Sequence, residues 1–202
     1  YIDLTGGTET GRKVASQAGQ RLIRSTMELG GKTPVIVCDD AEIDAAVAGV
    51  LFAAFVASGQ TCVAGSRILV QSQIYDAFVE KLAKRADLIK LGDPMDPSTQ
   101  MGPVISQSAL ERCKHFVEMA LSEGGRQVAG TKSPDLSGPF AKGYYIRPTI
   151  FADVQPHHSL FKDEVFGPVI SITPFHTEEE AIELANVGDF GLGVSIWSRD
   201  IA

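Results

Sequence analysis

Short, nearly continuous runs of apolar residues alternate with amphipathic segments along this sequence, and this alternation is the feature that most constrains the fold. Residues 34–38, 67–70 and 169–172 are apolar runs of strand length, and the segments between them repeat apolar residues at a spacing of three to four. Strands of a parallel sheet are buried on both faces and therefore have such continuous apolar sequences. The pattern predicts an α/β fold with a mostly parallel twisted sheet and flanking helices. Ligand-binding residues are then expected at the carboxyl ends of the strands.

Glycine, proline and helix-capping residues set the boundaries of the predicted elements. Strands are predicted at residues 2–4, 21–29, 34–38, 67–70, around 128, and at 145–146, 149–151, 169–172 and 194–197. Helices are predicted at residues 9–18 with Thr8 as N-cap, from the N-cap Asp40 to Gly59, and at residues 74–89, 107–123 and 178–185. The remaining stretch at residues 124–143 is predicted to form loops around a short strand.

Composition excludes several classes of function. The 202 residues include 18 basic and 25 acidic side chains, a net charge of −7, so nucleic acid is not an expected partner. The longest apolar stretch, residues 45–57, is interrupted by Gly49 and is shorter than the ~20 residues of a membrane-spanning helix. Cysteines without a C-x-x-C pair are typical of reduced intracellular thiols, so we expect a cytoplasmic protein. The chain begins at Tyr1 without a basic or apolar leader, so no signal peptide is expected, and it is interpreted as part of a longer protein.

Cys62 is the first candidate for chemistry. It follows a predicted helix and a glycine turn, in the segment Gly59-Gln60-Thr61-Cys62. Backbone N–H groups at such a bend favour a thiolate and any oxyanion that forms beside it. The alternative is a buried, inert thiol, which is how we interpret Cys38, in a predicted strand, and Cys113, in a predicted helix.

Histidines do not provide a partner for Cys62 that the sequence can identify. None of the four has a local signature that pairs it with a thiol; they are His115, His157, His158 and His176. His157 and His158 follow a proline and are predicted to lie in a solvated loop. Adjacent histidines lack the i, i+4 spacing of a helical metal pair, so no metal site is expected.

Glu28 is the second candidate, because it ends a predicted strand just before Gly30 and Gly31. A partly desolvated carboxylate facing a strand-end crevice could act as a general base, and an ordinary strand-end charge is the alternative. The turn that contains Gly6 and Gly7 precedes a helix and could direct N–H groups towards a phosphate. Its G-G-x-x-x-G pattern is neither the Rossmann fingerprint nor a P-loop.

A third motif, Glu164-Val165-Phe166-Gly167-Pro168, lies just before a predicted strand. Its acid could bind a sugar hydroxyl and its aromatic side chain could stack on a ring. A loop-to-strand junction explains the same residues equally well.

In combination, these motifs resemble those of the aldehyde dehydrogenase superfamily, and the resemblance extends along nearly the whole chain. The Glu28 and Cys62 motifs are the most specific ones. The matching segments are Leu4-Thr5-Gly6-Gly7-Thr8-Glu9-Thr10-Gly11-Arg12, Glu28-Leu29-Gly30-Gly31-Lys32, Gly59-Gln60-Thr61-Cys62, Glu164-Val165-Phe166-Gly167-Pro168, and Asn186 with Gly191-Leu192.

The resemblance implies oxidation of an aldehyde to a carboxylic acid with NAD or NADP as the cofactor. Cys62 would attack the aldehyde carbon, and Glu28 would activate the water that hydrolyses the resulting thioester. The presence of Glu28 is unlike the acylating, coenzyme-A-dependent branch of the family. Residues implied to bind the cofactor are Gly6 and Gly7 beside the pyrophosphate, Glu164 at the nicotinamide ribose, Phe166 near the nicotinamide, and Leu29.

Some residues depart from the family pattern. Gly7 replaces a common serine that contacts phosphate, and Gly188 and Phe190 replace a hydroxyl residue and a tyrosine. Length is the larger departure, because members of the family are much longer. The resemblance implies that residues 1–29 are the end of the dinucleotide-binding domain and residues 30–202 are the catalytic domain without its C-terminal end.

On this interpretation an upstream asparagine, an upstream lysine and a C-terminal strand are absent. The full protein would then be a homo-oligomer that acts on a small-molecule aldehyde substrate, whereas the 202 residues alone would self-associate and lack NAD-dependent turnover. Two alternatives of other classes remain open, a non-catalytic structural protein of dehydrogenase descent, as some lens crystallins are, and a redox-sensing thiol protein. The sequence does not identify the aldehyde.

Overall fold

The structure, a computed structural model, describes residues 1–134 and 136–200 and contains two separate sheets. The smaller sheet pairs strand β1 (Ile2–Thr5) in parallel with β2 (Ser25–Glu28), and helix α1 (Thr8–Gln20) connects them. α1 packs closely on the segment that follows β2, since a Cβ on Gly11 would lie 2.5 Å from Leu29 Cδ2. This strand-helix-strand unit brings the carboxyl ends of β1 and β2 to one edge.

The larger sheet has six strands in the order β5-β6-β7-β4-β3-β8, and only the β5–β6 pair is antiparallel. Its strands are β3 (Thr33–Val37), β4 (Gly65–Gln71), β5 (Arg126–Ala129), β6 (Thr149–Ala152), β7 (Val169–Phe175) and β8 (Ser195–Trp197). The helices around it are α2 (Ile43–Phe55), α3 (Tyr75–Asp87), α4 (Gln107–Ser122), α5 (Ser159–Lys162) and α6 (Glu178–Ala185). Short 3₁₀ turns lie at Val56–Gly59, Ser72–Ile74 and Gly138–Lys142.

Both faces of the large sheet are covered. Ile68 and Val70 belong to one apolar cluster with residues of α2 and α3, whereas Leu69 belongs to a second cluster with residues of α4, α5 and α6. Successive residues of a strand point to opposite faces, so a central strand between two helical layers must be apolar at every position. The mostly parallel α/β fold expected from these runs is confirmed.

Several predicted boundaries were wrong. Residues 21–24 are not a strand, because the N–H groups of Leu22 and Ile23 donate to carbonyl oxygens at the end of α1, and Leu22 has φ 55° and is 94% exposed. Residues 145–146 are not a strand, because Tyr145 anchors a loop by donating its hydroxyl hydrogen to the Gly92 carbonyl oxygen. The predicted loops at 124–143 include Asp135, which lies outside the described residues.

Helix capping and one histidine also differ from the predictions. Gly7, not Thr8, is the N-cap of α1, and Glu42, not Asp40, caps α2 by accepting hydrogen bonds from two backbone N–H groups. Asp40 instead accepts hydrogen bonds from residues 198–200, just beyond β8. His158 is buried rather than solvated. It immediately precedes α5, a four-residue helix that is too short to be predicted from periodicity.

Candidate active site

A cavity of about 330 Å³ lies where the two sheets meet, and every candidate site residue of the sequence analysis lines it. The structure therefore brings together residues that are far apart in the sequence. The lining residues are Thr5, Gly6, Gly7, Glu28, Leu29, Gly30, Cys62, Arg112, Glu164 and Phe166.

The position of the cavity corrects one expectation. Thr5 and Glu28 are the last residues of β1 and β2, so the cavity does lie at the carboxyl ends of the small sheet. It faces the other end of the large sheet, because Gly30 precedes β3 and Phe166 precedes β7. The chain crosses from one sheet to the other within residues 29–32, which places the carboxyl edge of the first beside the amino edge of the second.

A turn with an uncommon backbone conformation places Cys62 at this cavity. After α2, the three consecutive residues Ala57, Ser58 and Gly59 have positive φ angles of 49°, 57° and 69°. The left-handed region costs a non-glycine residue about 1–2 kcal/mol, so the surroundings must hold this turn. The Ser58 hydroxyl is buried and donates to the Gly102 carbonyl oxygen at 2.9 Å. The strain is thus stored immediately before the candidate nucleophile.

The other two thiols are in environments that keep them protonated. Burial raises the pKa of Cys113 to about 11. Burial, followed by the charge of Asp40, also raises the pKa of Cys38. Neither residue lines the cavity, and a thiol, unlike a thiolate, is a poor nucleophile. Among the described cysteines, Cys62 is the one that lines the cavity.

Gly31 permits the close approach of two backbone segments at the site. A Cβ on this residue would lie 2.1 Å from the Cys62 carbonyl oxygen, a distance that no side-chain adjustment can relieve. The residue that follows, Lys32, has a positive φ of 39°. The segment that carries Glu28 is thereby held directly against the segment that carries Cys62.

We expect Gly31→Ala to lower the free energy of unfolding by about 1–3 kcal/mol, the usual cost of overpacking a rigid site. Urea titration followed by circular dichroism measures the change. Gly19→Ala is the matched control, because a Cβ there has no neighbour within 4 Å and lies in α1. Equal midpoints for wild type and Gly31→Ala would contradict the close approach.

Glu164 is fixed by backbone groups of the same crossing segment. Its Oε1 accepts a hydrogen bond from the Gly31 N–H at 2.8 Å and a longer one from the Lys32 N–H at 3.4 Å. A Cβ on Gly30 would lie 2.5 Å from Glu164 Oε2, so a side chain there would displace this carboxylate. The carboxylate is consequently held in place at the wall of the cavity.

Glu28 differs from the expectation of a partly desolvated carboxylate, because it is exposed at the end of β2. Its carboxylate has no hydrogen-bond partner within residues 1–134 and 136–200, and its carbonyl oxygen accepts from the Gly6 N–H at 3.0 Å. An unpartnered carboxylate on a cavity wall is free to orient a water molecule. Glu28 and Cys62 both line this cavity.

Residues on the cavity wall also have the chemistry that a dinucleotide needs. Gly7 is the N-cap of the 13-residue helix α1, where unpaired N–H groups and the helix dipole favour a phosphate. Glu164 offers a fixed acceptor for ribose hydroxyls, and Phe166 contributes an aromatic ring to the wall. NAD or NADP therefore fits the donor and acceptor set of this cavity.

Sequence analysis missed two residues of this region. Arg112, in α4, lines the cavity, and no local motif distinguishes it from other helical cations. Lys32 follows the Glu28 motif but is 1% exposed, and its Nζ has no hydrogen-bond partner in the described part of the chain. Burial and, to a smaller extent, the nearby Arg67 lower the pKa of Lys32 to about 7, while Glu164 and Asp163 oppose this shift.

The Lys32 pKa predicts a specific pH dependence of stability. The amine has a pKa of about 7 in the folded state and 10.5 ordinarily, so above pH 7 the unfolded chain binds a proton that the native chain lacks. Stability must then rise with pH, by up to about 1.4 kcal/mol per pH unit. Cys113 opposes this rise above its ordinary pKa of 9.0, because its folded pKa is higher.

We therefore expect the free energy of unfolding to increase between pH 7 and 9, and Lys32→Met to remove most of that increase. Urea titrations at several pH values measure the slope for both proteins. Lys114→Met, which alters an exposed lysine of α4, is the matched control and should keep the wild-type slope. A Lys32→Met protein with an unchanged slope would refute the assignment.

Comparison with known proteins identifies the class to which this fold and cavity belong. The sequence model of the Aldehyde dehydrogenase family matches residues 1–202, so the chain belongs to this family. Among the described residues, no helix is long and apolar enough to cross a membrane, and no group of three or more metal-ligating side chains was found.

Within the family, the chain is similar to betaine aldehyde dehydrogenases. It is 44% identical to the enzyme of Cereibacter sphaeroides over 200 residues, which cover 99% of this chain and 40% of that protein. A crystal structure of the Staphylococcus aureus betaine aldehyde dehydrogenase in complex with NAD⁺ superposes with a TM-score of 0.94 at 39% identity, covering 99% of this chain and 40% of that one. PnpE in complex with nicotinamide adenine dinucleotide superposes equally well, at 40% identity and 41% coverage of its chain. The chain thus spans about 40% of the length of these relatives.

Proposed function

We propose that the whole protein to which these residues belong oxidises an aldehyde to a carboxylic acid with NAD or NADP. The observation that carries this proposal is the convergence of Cys62, Glu28 and Glu164 on one cavity. Membership of the aldehyde dehydrogenase family supports it independently. A structural or redox-sensing protein would not need a carboxylate such as Glu28 on the wall that carries the thiol.

In the proposed reaction, the Cys62 thiolate attacks the aldehyde carbon and forms a thiohemiacetal whose oxyanion lies near the Cys62 backbone N–H. NAD or NADP, when bound, supplies the oxidising power by accepting a hydride. The product on the protein is a thioester at Cys62. Glu28 then takes a proton from a water, whose oxygen attacks the thioester carbon and releases the carboxylic acid and the Cys62 thiolate, and Glu28 passes its proton to solvent.

The cofactor would be held by residues of both sheets. Gly6 and Gly7, at the amino end of α1, would lie beside the pyrophosphate, with backbone N–H groups as donors. Glu164 would accept hydrogen bonds from the nicotinamide ribose, and Leu29 and Phe166 would pack near the nicotinamide. In this assignment the absence of a side chain at Gly7 leaves phosphate binding to the backbone.

Two domains would meet at this cavity. The separate sheets support a boundary near residue 29, with residues 1–29 belonging to the dinucleotide-binding domain and residues 30–202 to the catalytic domain. One helix and two strands form only a small part of a dinucleotide-binding fold. We therefore propose that the 202 residues alone lack NAD-dependent turnover.

The whole protein is proposed to be a cytoplasmic homo-oligomer. Support for the oligomer comes from large apolar side chains that are exposed in these residues, among them Leu22 at 94% and Phe52 at 72%. Such exposed surface is typical of regions that other parts of a protein cover. Light scattering of the whole protein that gave the mass of a single chain would contradict the oligomer.

Formation of NADH or NADPH by the whole protein, followed at 340 nm with a panel of aldehydes, tests the proposed function. Betaine aldehyde leads the panel because two of the similar proteins, those of Cereibacter sphaeroides and Staphylococcus aureus, are betaine aldehyde dehydrogenases. We expect at least one aldehyde to support turnover, and the 202-residue chain, assayed in parallel, to be inactive. A whole protein that oxidises no aldehyde with either cofactor would refute the proposal in favour of a structural or sensing role.

A further inference from the structure

Arg112 connects helix α4 to the loop that carries Glu164. Its Nε donates to the Val165 carbonyl oxygen at 2.7 Å, and its Nη2 donates to the Phe166 carbonyl oxygen at 3.4 Å. The two acceptors are the two residues that follow Glu164. A guanidinium is planar and presents its donors in a fixed fork, so two such bonds set the position and the orientation of the loop.

The backbone conformation of this loop is unfavourable, so contacts with other elements must stabilise it. Phe166 has a positive φ of 55°, a region that is unfavourable for an aromatic residue. The next residue, Gly167, lies directly on α4, because a Cβ there would be 2.2 Å from the Cys113 sulfur. Neighbouring residues of one helix, Arg112 and Cys113, therefore hold two successive parts of the loop.

On its other side the loop reaches the crossing segment between the sheets. Glu164 accepts the Gly31 N–H at 2.8 Å, across 133 residues of sequence. The loop that carries this carboxylate therefore contacts α4 on one side and residues 30–32 on the other. Its direction depends on the conformation of Val165 and Phe166, which Arg112 holds.

Charge neutralisation does not explain Arg112. Within residues 1–134 and 136–200 it forms no ion pair, and both of its acceptors are backbone carbonyl oxygens. The hydrogen bonds of Arg112 therefore constrain the position of the loop and do not neutralise a charge.

We propose that Arg112 is a positioning residue that holds the Glu164 carboxylate against the Gly31 N–H and thereby presents it to the dinucleotide. The second half of this inference rests on the proposed function, whereas the first half does not. The two halves are tested by separate measurements.

Hydrogen exchange of the whole protein without nucleotide, followed by mass spectrometry, tests the first half. Arg112→Met should accelerate exchange of the Gly31 amide by about 10-fold or more, because its acceptor is no longer held, while amides of β3 keep their wild-type rates. Lys114→Met, at an exposed position two residues further along α4, is the matched control and should leave Gly31 unchanged. Unchanged Gly31 exchange in Arg112→Met would overturn the proposal.

Arg112→Lys keeps the test decisive if Arg112→Met unfolds. A lysine can reach one carbonyl oxygen but cannot reproduce the fork, so exchange at Gly31 should be intermediate while β3 stays protected. Full wild-type protection of Gly31 in Arg112→Lys would show that charge alone suffices and would overturn the proposal.

A double-mutant cycle on NAD binding tests the second half. Arg112→Met should raise the Kd for NAD by about 10-fold, and should add less than about 2-fold in a Glu164→Ala background, because it acts through Glu164. Fully additive effects would show that Arg112 acts independently and would overturn the positioning role. A wild-type protein that does not bind NAD would refute the proposed function, and the exchange experiment would still decide the structural half.

Discussion

Cys62→Ala is expected to reduce aldehyde oxidation by the whole protein by about 10⁴-fold or more, because it removes the sulfur that forms the proposed thioester. The three thiols differ in environment: Cys62 lines the cavity, whereas burial raises the pKa values of Cys38 and Cys113. Initial rates of NADH formation at saturating aldehyde and cofactor measure the loss. The Kd for NAD, measured by fluorescence titration, should change little because the alanine is smaller than the thiol it replaces.

Cys38→Ala is the matched control for this loss. Cys38 is half-buried just after β3, away from the cavity, so its replacement should leave the rate of oxidation within about 2-fold of wild type. Equal losses in the two variants would mean that the decrease reflects general damage to the fold. Retained turnover in Cys62→Ala would remove Cys62 from the mechanism.

Glu28→Gln is expected to separate the two halves of the reaction. An amide cannot take a proton from water, so hydrolysis of the thioester should slow by about 10²–10⁴-fold while its formation continues. Rapid mixing with aldehyde and cofactor should then show one burst of NADH per active site, followed by a slow phase. Mass spectrometry of the quenched protein should find the acyl group on Cys62.

The effect of Glu28→Gln on turnover should depend on the position of this carboxylate in the cavity and not on the loss of one negative charge as such. The structure leaves this carboxylate exposed and unpartnered in the described residues, so its loss should hardly change stability. Glu9→Gln is a suitable control, because Glu9 is also exposed but lies in α1 and does not line the cavity. A Glu28→Gln protein that shows no burst but turns over at the wild-type rate would contradict the assigned role.

Local patterns explain why much of the fold could be predicted. The apolar runs near residues 34–38 and 169–172 correspond to β3 and β7, and the periodicity at 178–185 matches the bounds of α6. Such patterns depend on neighbours a few residues apart, and the sequence contains them directly. The predicted strand at 145–146 failed because a long-range contact overrode the local preference, since the Tyr145 hydroxyl anchors a loop.

The arrangement of the site could not be predicted in the same way. Gly31 and Glu164 are 133 residues apart, and their hydrogen bond exists only because the two sheets face each other. For the same reason the cavity lies at the carboxyl ends of β1 and β2 but at the amino ends of strands of the six-stranded sheet. The roles of Arg112 and Lys32 could not be predicted from the sequence, because a helical arginine and a lysine after two glycines have no distinguishing local pattern.

The sequence by itself determined the α/β class, the spacing of the motifs and the identity of the chemically capable groups, Cys62, Glu28 and Glu164, because these depend on residue type and short-range order. Only the tertiary structure decided that these groups share one cavity, that Arg112 holds the Glu164 loop, and that Lys32 is buried with a lowered pKa. The physical reason is that burial, close approach and the direction of a hydrogen bond arise between segments that only folding brings together.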